Sequence, residues 1–181
     1  MLQKQGFNIK LLLSDFGYAK SSNESWTYSG NRGTLSYSSP ELLSLWGPHE
    51  HGIDFFKPSD VYSLGVTFWS IYHLKEPFDD VSGFNRSFVL YNQIVSQNRK
   101  PVLDDTCPSR LKEIITKCLQ TDPKERFTCN ELLQELESYE KQLIDEFNSK
   151  CNKAKGSNTT FQYIKHEQLQ CNFEDGSELY S

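Results

Sequence analysis

The sequence predicts a mostly α-helical domain with one short β-hairpin at its start. Three observations carry this. Residues 61–74 place Val61, Leu64, Val66, Phe68, Trp69, Ile71, Tyr72 and Leu74 all around a helix, the pattern of a helix packed inside a core rather than laid on its surface. Thr128-Cys129-Asn130-Glu131 has the form of a capping box, in which hydroxyl and carboxylate each satisfy an orphan backbone N–H. The helix it opens carries Leu132, Leu133, Leu136, Leu143, Ile144 and Phe147 on one side. Ahead of both, Met1–Gln3 and Phe7–Leu13 flank a Lys4-Gln5-Gly6 turn, the signature of a hairpin. At 181 residues the chain is long enough for one domain with a sizeable core.

In chain order, the hairpin leads into Ser14-Asp15-Phe16-Gly17, and residues 18–32, rich in Ser, Asn and Gly, read as a loop. Ser39-Pro40-Glu41 is a helix start, with Ser as cap and Pro at the first helical position. A short helix Glu41–Trp46 is predicted to follow, then a loop over Gly47–Pro58. Beyond the central helix Val61–Leu74, helices are predicted over Phe88–Gln97 and Ser109–Leu119, the second with Leu111, Ile114, Ile115, Cys118 and Leu119 at amphipathic spacing. The last helix is predicted to run to about residue 148. Residues 149–181 read as a polar tail, expected to be disordered.

Nineteen Lys and Arg against 24 Asp and Glu leave a formal charge of −5, which argues against a general nucleic-acid binder. No run approaches the roughly 18 apolar residues that span a bilayer, so no membrane partner is expected. Five Cys form an odd set with no CxxC pair, and Met1–Lys10 lacks the apolar stretch of a signal peptide. A reducing, cytoplasmic or otherwise intracellular setting follows as the expectation.

Asp15-Phe16-Gly17 places a carboxylate at a strand end, where oxygen ligands suit Mg2+ beside phosphates. It is followed by Gly33-Thr34-Leu35-Ser36-Tyr37-Ser38-Ser39-Pro40-Glu41, then Ser59-Asp60-Val61-Tyr62-Ser63-Leu64-Gly65-Val66, then Asp122-Pro123-Lys124-Glu125-Arg126-Phe127-Thr128. Together these segments resemble a eukaryotic protein kinase of the Ser/Thr type, and specifically its C-terminal lobe over residues 1–148. Asp15-Phe16-Gly17 is similar to the family's Asp-Phe-Gly motif. Ser39-Pro40-Glu41 is similar to its Ala-Pro-Glu motif with Ser in place of Ala. Asp60 matches the aspartate heading its central buried helix, and Arg126 the arginine that pairs with the motif glutamate, here Glu41.

The resemblance implies the roles. Asp15 would ligate the Mg2+ that bridges ATP phosphates. Thr34 would position the catalytic aspartate, and Gly33, Thr34 and Tyr37 would face a protein substrate. The Gly33-Thr34 pair favours Ser/Thr over Tyr acceptors. Residues 18–32 would form the activation loop behind Phe16 and Gly17, with Ser21, Ser22, Ser25, Thr27 and Ser29 as phosphate acceptors. Glu41 and Arg126 would make a buried ion pair. The Gly-rich loop, the strand Lys and the His-Arg-Asp motif of the family do not occur in these residues, nor does the N-terminal lobe. Met1 aligns just after the family's catalytic-loop Asn, so the chain is expected to be a truncated kinase domain, inactive in isolation. The alternative is a pseudokinase-like or truncated interaction module without catalysis. An unrelated helical domain with chance motifs would keep Glu41 and Arg126 far apart.

Overall fold

The computed structural model describes residues 14, 26–27, 35–44, 50–51 and 53–154. The expected hairpin over residues 1–13, the Asp15-Phe16-Gly17 turn and most of the expected tail lie outside the described residues. The chain divides into two compact units, Met1–Tyr139 and Glu140–Ser181.

The first described element is β1, Trp26–Thr27, which pairs antiparallel with β2, Glu50–His51, in the register Trp26–His51 and Thr27–Glu50. Both fall in segments expected to be loop, and a two-residue strand is too short for side-chain alternation to show in sequence. Between them, a 3-10 turn over Leu35–Tyr37 leads to α1, Pro40–Leu43. Ser39 caps α1 as its sequence predicts, accepting from Leu42 N at 3.4 Å.

Helix α2 runs from Ile53 to His73. It starts earlier than expected, because Pro58 reads as a helix breaker: an interior proline removes one hydrogen bond and crowds the carbonyl four residues back. Half-buried Phe55 and Phe56, their rings edge-to-face at 5.3 Å, lie in the extra turns. Asp60 therefore sits well inside the helix instead of heading it. The helix is also not covered on every side. Val61, Tyr62, Val66 and Trp69 are buried, whereas Leu64 and Ile71 are 41% and 65% exposed. Leu74 lies beyond the end, in a left-handed backbone conformation at φ 52°.

Helix α3, Arg86–Tyr91, passes directly into a wider π turn over Asn92–Ser96. Helix α4 spans Ser109–Cys118 and buries Ile114, Ile115 and Cys118. It packs closely on α2 at Gly65, where a β-carbon would stand 2.6 Å from Cys118 Cβ. A 3-10 turn at Pro123–Glu125 follows, capped by Asp122. Helix α5, Cys129–Ala154, begins with the predicted capping box: Thr128 Oγ1 accepts from Glu131 N at 3.2 Å, and Thr128 N donates to Glu131 Oε2 at 2.7 Å. It continues six residues past the expected end.

Among the described residues, the core of the first unit has three parts. Leu43, Phe78, Val81, Leu90 and Ile94 join α1 to α3 and the π turn. Tyr62, Val66, Trp69, Ile115 and Leu119 fill the α2–α4 interface. Val61, Ile114, Cys118 and Leu132 bring in the start of α5. Leu133, expected on the same apolar side as Leu132, is 55% exposed. Within the second unit, Gln142 donates to Glu146 along the helix.

Candidate functional site

The segment Ser36–Glu41 is fastened to the helices almost residue by residue. Arg86 Nη2 donates to Ser36 Oγ at 3.3 Å, and its Nε donates to the Val81 carbonyl at 2.9 Å. Tyr37 Oη meets Ser70 Oγ of α2 at 3.3 Å, and Tyr37 packs against the core cluster at the α2–α4 interface. Ser39 Oγ and Ser59 Oγ are 2.7 Å apart, with both residues buried. Each tether satisfies a polar atom that burial would otherwise leave unpaired.

The last and strongest tether is Glu41 to Arg126. Arg126 Nη1 donates to Glu41 Oε1 at 2.6 Å and Nη2 donates to Oε2 at 2.9 Å, a bidentate fork. Nη1 also donates to the Pro58 carbonyl and Nε to the Gln120 carbonyl, each at 2.8 Å. The guanidinium carbon lies 4.9 Å from the centre of the Tyr62 ring. The Arg126 side chain is sealed from solvent, and that of Glu41 is 16% exposed. One arginine thus joins α1, the proline turn of α2 and the loop before α5. Burial pushes the neighbouring Tyr62 hydroxyl up to about 12, and the nearby Arg126 charge only partly opposes this. Tyr62 therefore stays neutral and serves as the apolar floor of the pair.

The structure brings Glu41 and Arg126 together. Tyr37 turns its ring and hydroxyl towards α2. Asp60 is exposed, and its carboxylate makes no hydrogen bond or ion pair with another described residue. Surrounding protein nevertheless displaces enough water to push its carboxyl above the ordinary carboxylate range. Thr27 lies in β1, its backbone opposite Glu50. Asp15, Phe16, Gly17, Ser21, Ser22, Ser25, Ser29, Gly33 and Thr34 lie outside the described residues. Among the described residues, no group of three or more His, Cys, Asp or Glu side chains is placed to hold a metal ion. Residues that sequence reasoning missed are Ser36, Ser59, Ser70, Arg86 and Tyr62. Their partners are distant in the chain, and Ser, Tyr and Arg at these positions carry no spacing signal.

An acid and a guanidinium 85 residues apart, meeting in a sealed fork beside a capped Ser-Pro-Glu turn, is an arrangement that chance motifs do not produce. The chain belongs to the protein kinase domain family, whose pattern it matches over residues 1–136. It is 32% identical over 137 residues to a dual specificity protein kinase of Dictyostelium discoideum, a match that covers 76% of this chain and 9% of the relative. A probable serine/threonine-protein kinase of the same organism is 29% identical over 140 residues, 74% of this chain and 7% of that protein. Mitogen-activated protein kinase kinase kinase 7 of Drosophila melanogaster is 27% identical over 126 residues, 70% of this chain and 16% of that protein. The chain thus spans a small fraction of the length of these relatives.

Proposed function

We propose that this chain supplies the substrate-side helical lobe of a protein serine/threonine kinase, with residues 1–148 as the kinase part. The observation that carries the reading is the buried Glu41–Arg126 fork, which ties the turn after Gly33-Thr34 rigidly to the helical body. Phosphoryl transfer depends almost wholly on positioning and electrostatics, so a fixed substrate loop is chemically useful. In this reading Gly33 and Thr34 face the acceptor protein, Tyr37 anchors their loop to α2, and residues 18–32 form the activation segment. ATP and Mg2+ would be held at Asp15, the metal neutralising charge on the phosphates, together with groups that these 181 residues do not carry. The free thiols of Cys107, Cys118 and Cys129 suit a reducing, intracellular setting.

The test is a chimaera in which residues 1–148 follow the N-terminal lobe and catalytic loop of the Dictyostelium dual specificity kinase. It is expected to phosphorylate a generic basic protein on Ser and Thr, and Asp15→Asn is expected to abolish this. A chimaera that folds and binds ATP without transferring phosphate contradicts the reading and favours an interaction module. Phosphotyrosine as the main product contradicts the Ser/Thr assignment.

A further inference from the structure

Helix α3 buries one face and leaves the other without cover and without charge. Leu90, and Ile94 in the π turn that follows, are sealed in the core. Arg86, one turn before Leu90, lies on that inner side and donates to the Val81 carbonyl and the Ser36 hydroxyl. Phe88 stands two residues from Leu90, about 200° round the helix, and is 73% exposed. Phe84, just before the cap residue Asn85, is 104% exposed. An apolar side chain at that position ordinarily folds onto the fourth helical residue, here Val89, as a staple. Phe84 makes no such contact, and Val89 is itself exposed. The backbone sets this outward placement. Val81 N donates to the Phe78 carbonyl and Arg86 N to the Gly83 carbonyl, each at 3.1 Å, and Gly83 turns the chain at φ 96°.

Residues 81–98 carry a single charge, that of Arg86, in a chain whose charged fraction of 24% would place about four there. A helix face that meets only water is charged or strongly polar, whereas the centre of an interface is aromatic, poor in charge and ringed by uncharged polar groups. Exposed Asn85, Ser87 and Asn92 supply such a ring. We propose that the outer face of α3 is a docking surface for a short, uncharged apolar segment of a partner protein, whose aromatic or branched side chains pack on Phe84 and Phe88. Area selects this occupant over a second copy of the chain. Two phenylalanines so exposed offer roughly 300–400 Å2. Two copies face to face would bury roughly 600–800 Å2 through them, short of the roughly 1,200–2,000 Å2 of a stable complex. The want of charge selects an apolar segment over an acidic or basic one, since neither would find a counter-charge on this face. A backbone already fixed in the outward conformation keeps the ordering cost of binding small. Docking here requires no phosphoryl transfer, so it stands apart from the kinase reading.

The test selects random dodecapeptides displayed on phage against the native 181-residue chain, with the double variant Phe84→Ser, Phe88→Ser as counter-target. The enriched peptides are expected to carry several aromatic or branched apolar residues and no net charge. Made synthetically, they are expected to bind the native chain at least about tenfold more tightly than the double variant. Their affinity is expected to change less than about twofold between about 50 and about 500 mM salt. Both replaced rings are exposed, so the variant is expected to melt with the native chain. Should it not fold, two further measurements decide. On the native chain, an enriched peptide is expected to shift the ring signals of Phe84 and Phe88. Ser87→Asp, which sets a carboxylate next to Phe88, is expected to weaken binding at least about tenfold. The proposal is overturned by a selection that enriches nothing, by peptides that bind native chain and variants alike, or by charged peptides that release in salt. A native chain that sediments as a dimer, and a double variant that sediments as a monomer, overturn it in favour of a second copy.

Discussion

Arg126 donates four hydrogen bonds with its side chain closed to water, which shows what single residues contribute here. A desolvated guanidinium is tolerable only when its donors are met, and this one meets a carboxylate and two carbonyls. Ser39 follows the same logic. Its hydroxyl, where the family motif has a methyl, finds Ser59 at 2.7 Å, so the departure is compensated locally. Backbone strain divides two other residues. Leu74 (φ 52°) is 88% exposed, and Phe78 (φ 59°) is 4% exposed beneath Arg99, whose guanidinium lies 5.3 Å from its ring. Burial offsets the strain at Phe78 and does nothing for Leu74. Leu74→Gly is therefore expected to stabilise the chain by about 1 kcal/mol in chemical denaturation, and an unchanged or lower stability contradicts this. Asp60 gives a prediction in pH. Its carboxyl is raised in the folded state, so folding loses stability as pH climbs from the ordinary value of 3.8 through the raised one. Asp60→Asn is expected to remove that decline, measured as melting temperature between about pH 3.5 and about pH 6; parallel curves for the two proteins count against it. Of the residues that matter most, Glu41 and Arg126 were legible only through family resemblance, since no local spacing links positions so distant. Tyr37, expected to face substrate, is half-buried, and its hydroxyl meets Ser70 of α2.

At the scale of elements, helix starts governed by local chemistry were readable. The Thr128–Glu131 box and the Ser39-Pro40 cap form as their side-chain types dictate. The start of helix α2 is not legible, because Pro58 signals a break and yet lies inside the helix, behind the half-buried Phe55 and Phe56. Its all-round apolar pattern showed a helix with several faces to bury, but not which faces other elements cover. Gly65 marks a close approach of α2 to α4, where a β-carbon would stand 2.6 Å from Cys118 Cβ. Neither helix gives way there without shifting, so Gly65→Ala is expected to destabilise by about 1–3 kcal/mol despite alanine's better helix propensity. A stability equal to or above the native value shows that the helices have room. The π turn at Asn92–Ser96 and the paired strands β1 and β2 had no sequence signal, being too short for a period to register.

For the whole molecule, the tethers from Ser36 to Glu41 make one mechanical unit of α1, α2, α3 and the loop before α5. The chemistry expected at Asp15 needs partners beyond these residues. In the proposed reading, a polypeptide of the 181 residues alone carries one of the four groups that phosphoryl transfer uses, Asp15. Incubated with radiolabelled ATP and a basic protein, it is expected to transfer no phosphate above background. Turnover in the ordinary kinase range of roughly 1–100 per second contradicts this. The central claim is that Glu41 and Arg126 hold the substrate turn to the helical body, and a double-mutant cycle in urea addresses it most directly. Glu41→Gln and Arg126→Met are each expected to cost about 3–5 kcal/mol, because each leaves a buried charge unpaired. The double variant is expected to cost little more than either, giving a coupling of at least about 2 kcal/mol. Costs that add to within about 0.5 kcal/mol contradict the account.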